Sequence, residues 1–171
     1  MMFSEEILEA AARVITNAKA HGVTVGCVES CTGGLVGGAL TAVGGASAAF
    51  GGGLITYSNE LKNRLVGVQR ETLDEHGAVS SQVAAHMAMG GCSVLGVNRV
   101  VSVTGIAGPD GGTEDKPVGT VWFGLAVGGV EEVKCSLAQF EGDRDDVRMQ
   151  SVLTALSLLD PGVGAEVGEE S

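Results

Sequence analysis

Three turns in the sequence combine glycine with small hydroxyl side chains: Ser30-Cys31-Thr32-Gly33-Gly34, Gly44-Gly45-Ala46-Ser47, and the stretch from Thr104-Gly105 to Gly111-Gly112. Each adjoins an apolar run that reads as a strand. At the carboxyl edge of an α/β sheet, such turns present backbone N–H groups and hydroxyls, and a helix starting there favours an anion such as phosphate. The same residues also fit ordinary tight turns in a glycine-rich chain, and both readings stand at this level. Arg144 falls in the first turn of a helix that Asp143 begins, where a cation meets the positive end of the helix dipole at a cost of about 0.3–1 kcal/mol. Either a bound anion or the neighbouring Asp143, Asp145 and Asp146 would offset that cost.

Other chemistries lose support by motif. The chain contains no G-x-x-x-x-G-K-S/T, no G-x-G-x-x-G and no G-x-S-x-G, so a P-loop, a dinucleotide fingerprint and a nucleophile elbow are all unsupported. Tyr57 and Lys62 match the Tyr/Lys pair of short-chain dehydrogenases in type, but the cofactor glycines are missing. His21, His76 and His86 show no zincin spacing, and Cys27, Cys31, Cys92 and Cys135 form no double C-x-x-C, so neither a metal nor an organic cofactor is expected.

Composition narrows the partners. With 10 Lys and Arg against 21 Asp and Glu in 171 residues, the formal net charge is −11, which repels nucleic acid and anionic lipid. Hydrophobic residues make up 44% and charged residues 18%, the balance of a globular domain with its own core. The 28 glycines and 4% aromatics leave that core to Val, Leu, Ile and Ala. No charge occurs from Ser30 to Asn59, yet seven glycines between Leu35 and Ile55 and the absence of flanking basic anchors argue against a membrane span. The amino-terminal residues carry no secretory pattern, so a cytoplasmic location with reduced thiols is expected.

The elements that must position these residues alternate. Ser4 with Glu5 and Glu6 starts a helix bearing Ile7, Ala11, Val14 and Ile15; Val23 to Val28 is a strand leading into the Ser30 turn and a helix with Leu35 and Leu40. Leu54 to Tyr57 reads as a strand, Ser58 as the cap of a helix carrying Lys62, and Ser80 as the cap of another helix. Val100 to Thr104 is a buried strand. Val118 to Val127 and Val130 to Phe140 read as a hairpin turning at Gly128-Gly129, and Asp143 caps the last helix. The expected fold is therefore one α/β domain of three layers, α/β/α, over residues 1–159. Its sheet is mixed and mostly parallel with one antiparallel hairpin, and residues 160–171 form a flexible acidic tail.

Several longer motifs lie in one unbroken order: Glu29-Ser-Cys-Thr-Gly-Gly34, Gly45-Ala-Ser47, Thr56-Tyr-Ser-Asn-Glu60 with Lys62, His76-Gly-Ala-Val-Ser80, Val103-Thr-Gly-Ile-Ala-Gly-Pro-Asp-Gly-Gly112, Lys116-Pro-Val-Gly-Thr-Val121 and Gly142-Asp-Arg144. Over roughly residues 4–159 the chain resembles the C-terminal domain family of the competence/damage-inducible protein CinA, the nicotinamide mononucleotide deamidases. It departs at Gly44, where relatives often carry proline, and at Gly51-Gly52-Gly53, where a charged residue is common.

That resemblance implies hydrolysis of the carboxamide of nicotinamide mononucleotide (NMN) to nicotinic acid mononucleotide and ammonia. It implies Ser47 as nucleophile, Lys62 as its base and Tyr57 assisting. Ser30, Thr32, Gly33, Gly34, Thr104, Gly105 and Arg144 are then the expected substrate contacts. A serine hydroxyl needs an adjacent base, and a lysine held neutral by burial can serve. A homo-oligomer, a dimer or higher, is expected. Two alternatives remain: an amidohydrolase acting on another phosphorylated amide, and a non-catalytic nucleotide-binding regulatory module.

Overall fold

The computed structural model describes residues 2–163. Ser4 accepts a hydrogen bond from the Ile7 amide and opens α1 (Glu5–His21), which buries Ile7, Ala10, Ala11, Val14, Ile15 and Ala18 and stops at Gly22 in the left-handed region. Then follow β1 (Val25–Glu29), α2 (Leu35–Thr41), a 3₁₀ turn (Ala46–Ala48) and β2 (Phe50–Ile55). Helices α3 (Asn59–Val66), α4 (Arg70–His76) and α5 (Ser81–Leu95) lead into β3 (Arg99–Gly105). Strands β4 (Thr120–Val127) and β5 (Lys134–Gln139) precede α6 (Arg144–Leu159).

The strands form one sheet in the order β2-β1-β3-β4-β5. Successive strand side chains point to opposite faces, and the burial follows that rule. Val25 and Cys27 of β1 and Val101 and Val103 of β3 join α1, α2 and α6 in one core. Val28 and Val100 join α3, α4 and α5 in a second core. Two helical layers on one sheet are the expected α/β/α arrangement.

Details differ from the sequence expectation. The β1–β2 and β1–β3 ladders are parallel, while β3–β4 and β4–β5 are both antiparallel. Four of the five strands still run the same way, with β4 the reversed one. The expected two-residue hairpin is longer: Gly129 does turn the chain, at φ 82, but β5 begins only at Lys134, after the acidic pair Glu131-Glu132. Strand β2 begins at Phe50 rather than Leu54, because Gly51-Gly52-Gly53 carry no side chains to announce a strand. Asp160, the first residue of the expected tail, is buried at the end of α6, where it accepts a hydrogen bond from Asn17 Nδ2 at 2.8 Å. The rest of that tail, 164–171, lies outside the described residues.

The parallel strands set the position of everything that follows. Ser30 leaves β1, Tyr57 leaves β2 and Gly105 ends β3, all at the carboxyl edge where open α/β sheets place their ligands.

Candidate active site

At that edge lies a cavity of about 210 Å³ lined by Ser30, Cys31, Tyr57, Asn59, Lys62, Ala78, Val79, Thr104, Gly105, Ala107 and Arg144. Six of the expected site residues meet here: Ser30, Tyr57, Lys62, Thr104, Gly105 and Arg144. A second hollow of about 400 Å³ shares Ala107 and Arg144 with it. A larger groove, about 580 Å³, is at the other end of the sheet beside Arg99, Val130 and Pro161. Arg99 there is committed to the carbonyls of Leu158, Leu159 and Asp160 at the end of α6, and no expected site residue reaches that groove.

The centre of the cavity is Lys62. Ser58 accepts from the Leu61 amide and fixes the start of α3, so that Lys62 points inward from its first turn. The side chain is 1% exposed. Its Nζ lies 3.1 Å from Ser30 Oγ, 2.8 Å from the Thr56 carbonyl and 3.1 Å from the Tyr57 carbonyl. No carboxylate is paired with it among the described residues. Burial without a counter-charge disfavours the ammonium, and the Lys62 pKa falls from 10.5 to about 8. A neutral amine has two N–H groups and one lone pair. The ammonium donates to both carbonyls and to Ser30 Oγ; once it loses a proton, the carbonyls keep the two N–H groups and the lone pair is left toward the Ser30 hydroxyl.

Ser30 itself is held by the strand and by the turn after it. Its amide donates to the Val103 carbonyl at 3.0 Å, and its carbonyl accepts from Gly33 at 3.1 Å. Arg148 of α6 donates to the carbonyls of Cys31 and Thr32, tying the turn to the last helix. The amides of Cys31 and Thr32 donate to no carbonyl among the described residues.

The expected anion site at the start of α2 is already filled, and from within the protein. Glu29, 1% exposed, accepts hydrogen bonds from the amides of Gly34, Val36 and Gly37 at 2.9–3.1 Å. Helix N-termini favour carboxylates for the same reason that they favour phosphate. Thr32, Gly33 and Gly34 accordingly do not line the cavity, and they serve the cap and the turn instead.

Ser47 is placed elsewhere. It is exposed on the 3₁₀ turn before β2, at the amino edge of the sheet, whereas Lys62 follows β2 at the carboxyl edge. A strand of six residues spans about 20 Å, so the expected pairing of Ser47 with Lys62 is not what this fold provides. Tyr57 reaches Lys62 through its carbonyl, while its ring stands 61% exposed at the rim. Thr104 is buried and donates to the Ala78 carbonyl at 2.8 Å. Arg144 occupies the first turn of α6 as expected and donates to the Gly108 carbonyl at 2.7 Å, on the boundary between the two hollows.

The sequence reading passed over Glu29 and Arg148, and it took Ser30 only as a substrate contact. One signal was available. A turn after a parallel strand lies at the carboxyl edge, and a turn before one does not.

A serine hydroxyl beside a buried lysine of lowered pKa, at the carboxyl edge of an α/β/α sheet, has the groups that nucleophilic hydrolysis requires. Residues 7–162 match the model of the CinA C-terminal domain, and the chain belongs to that family. Among its relatives is the nicotinamide-nucleotide amidohydrolase PncC of Enterobacter agglomerans, 51% identical over 81% of this chain and 84% of the relative. The PncC of Escherichia coli is 46% identical over 92% of this chain and 95% of the relative. Among solved structures, the competence/damage inducible protein CihA of Agrobacterium tumefaciens superposes with a TM-score of 0.90 at 41% identity, covering 93% of this chain and 96% of that one.

Proposed function

We propose that this chain is a nicotinamide-nucleotide amidohydrolase that converts NMN to nicotinic acid mononucleotide and ammonia, with Ser30 as nucleophile and Lys62 as base. The relatives named for this reaction support the activity. The observation that carries the residue assignment is the 3.1 Å contact of Lys62 Nζ with Ser30 Oγ, inside a cavity whose other charged lining residue, among the described residues, is Arg144 at its edge.

Neutral Lys62 takes the Ser30 proton as Oγ attacks the carboxamide carbon, and the free amide of Cys31, at the cavity wall, receives the developing oxyanion. The lysine ammonium then hands its proton to the leaving nitrogen, which departs as ammonia and leaves an ester on Ser30. Water, deprotonated by Lys62, hydrolyses that ester to the nicotinate carboxylate. Thr104 and Gly105 wall the reacting end, Tyr57 borders the mouth, and Arg144 binds the phosphate. The reading includes residues 1–159 as the catalytic domain, a cytoplasmic location and a homo-oligomer. The free thiols of Cys27 and Cys31 fit a reducing compartment.

Ammonia release from a panel of pyridine and non-pyridine amides tests the function. Release from NMN alone supports it. Preference for another phosphorylated amide, or binding with no release, would replace it with one of the two alternatives.

A further inference from the structure

The sheet has two free edges, and they are built differently. Strand β5 starts with Lys134, follows Glu131 and Glu132, and is followed by Glu141. Charges of this kind keep an edge from pairing with another chain. Strand β2, Phe50-Gly-Gly-Gly-Leu-Ile, has none. No backbone group of residues 50–55 bonds to an element other than β1 among the described residues.

The surroundings of β2 share this property. The charge-free stretch 30–59 supplies α2, the 3₁₀ turn and β2, which lie together at one side of the molecule, with Lys19 at its border beside Gly45. On this face Ile55 is 50% exposed and Tyr57 61% exposed. A shallow groove of about 220 Å³ runs beside the strand, lined by Gly34, Gly37, Phe50, Gly53 and Ile55, with Thr41 and the buried Glu29. Two copies of a chain with net charge −11 repel each other over most of their surfaces. They approach with less of that penalty at the β2 face, where the one carboxylate beside the strand, Glu29, is 1% exposed and bonded to backbone amides.

We infer that β2 is the seam of a two-fold dimer, in which β2 of one copy pairs antiparallel with β2 of a second copy and joins two five-stranded sheets into one. A two-fold contact uses the same patch on both copies, and strand addition satisfies the free ladder groups of both edges at once. The flanking surface of α2, with Thr41 and Ala42 exposed, extends the contact toward the ~800 Å² per copy of a standard interface. The seam ends two residues before Tyr57, so the partner stands beside the mouth of the cavity. This surface rests on the homo-oligomer part of the reading above and not on the reaction assigned to the site.

Sedimentation and light scattering test the assembly and the surface separately. The unaltered chain is expected to be a dimer at micromolar concentration, and a monomer would overturn both assembly and seam. Ile55→Lys and, independently, Thr41→Lys should each weaken the dimer by at least about tenfold, whereas Leu137→Lys on the β5 edge should leave it intact. Circular dichroism confirms that each variant is folded, and if Ile55→Lys is not, Thr41→Lys decides. A dimer that resists the folded variants, or one that Leu137→Lys disrupts, overturns the seam even though the chain associates.

Discussion

Lys62 Nζ meets Ser30 Oγ at 3.1 Å while its two other hydrogen bonds go to the carbonyls of Thr56 and Tyr57. Thr56 and Tyr57 directly follow β2, Ser30 directly follows β1, and the two strands are parallel neighbours, so the backbone that builds the sheet also fixes the direction of the lysine lone pair.

Ser30→Ala and Lys62→Ala should each lower the NMN turnover rate by ~10³-fold or more, and the double variant should be scarcely worse than either, because nucleophile and base act as one unit. Ser47→Ala should retain near-normal activity. Steady-state kinetics on the four variants decides the matter. A dead Ser47→Ala enzyme with an active Ser30→Ala enzyme would reverse the assignment.

Activity should rise with pH through the Lys62 pKa of about 8, since the neutral amine is the working form. Stability has a linked signature. The folded-state pKa lies below the unfolded value of 10.5, so between these two pH values the unfolded chain binds more protons and folding is favoured as pH rises. Relative to Lys62→Met, the unaltered chain should gain about 3 kcal/mol of stability from pH 8 to 10.5. Denaturant titrations of both proteins at the two pH values measure it, and parallel behaviour would remove the perturbed lysine.

Arg144→Ala should weaken NMN binding by roughly 1.5–3 kcal/mol, the usual worth of a hydrogen bond to a charged group. Nicotinamide riboside, which lacks the phosphate, should be handled by the variant as by the parent wherever it is turned over. Equal losses on both compounds would place Arg144 at the reacting centre or in the fold, where its bond to Gly108 O already has a structural part.

Incubation with a chelator should leave the rate unchanged, because each step of the proposed mechanism is assigned to Ser30, Lys62 and a backbone amide. Loss with EDTA and recovery on adding a divalent ion would contradict that mechanism.

Much of the architecture was legible because the helices announce their starts. Ser4, Ser58, Ser80 and Asp143 all accept hydrogen bonds from the first-turn amides of their helices, as their sequence positions imply. Helix α4 was silent because its cap, Gln69, makes no side-chain bond and only Leu73 is buried along its length. The site was half legible. Motif order brought out Lys62, Tyr57, Thr104, Gly105 and Arg144, but choosing between Ser30 and Ser47 required knowing at which edge of the sheet each lies. The contribution of Glu29 was hidden because a carboxylate at the end of an apolar strand shows its role only once the next helix is seen to start over it.

That carboxylate has a consequence for turnover. The proposed reaction makes an anion out of a neutral amide at Ser30, the neighbour of Glu29 in the chain, and free amides at the start of α2 would attract such an anion. With Glu29 seated on the amides of Gly34, Val36 and Gly37, that receptor is taken, and the product is left with a like charge behind it. Nicotinic acid mononucleotide should therefore be a weak product inhibitor, with an inhibition constant above the KM for NMN. On the proposed reaction, that gives Glu29 a part in release rather than in bond breaking.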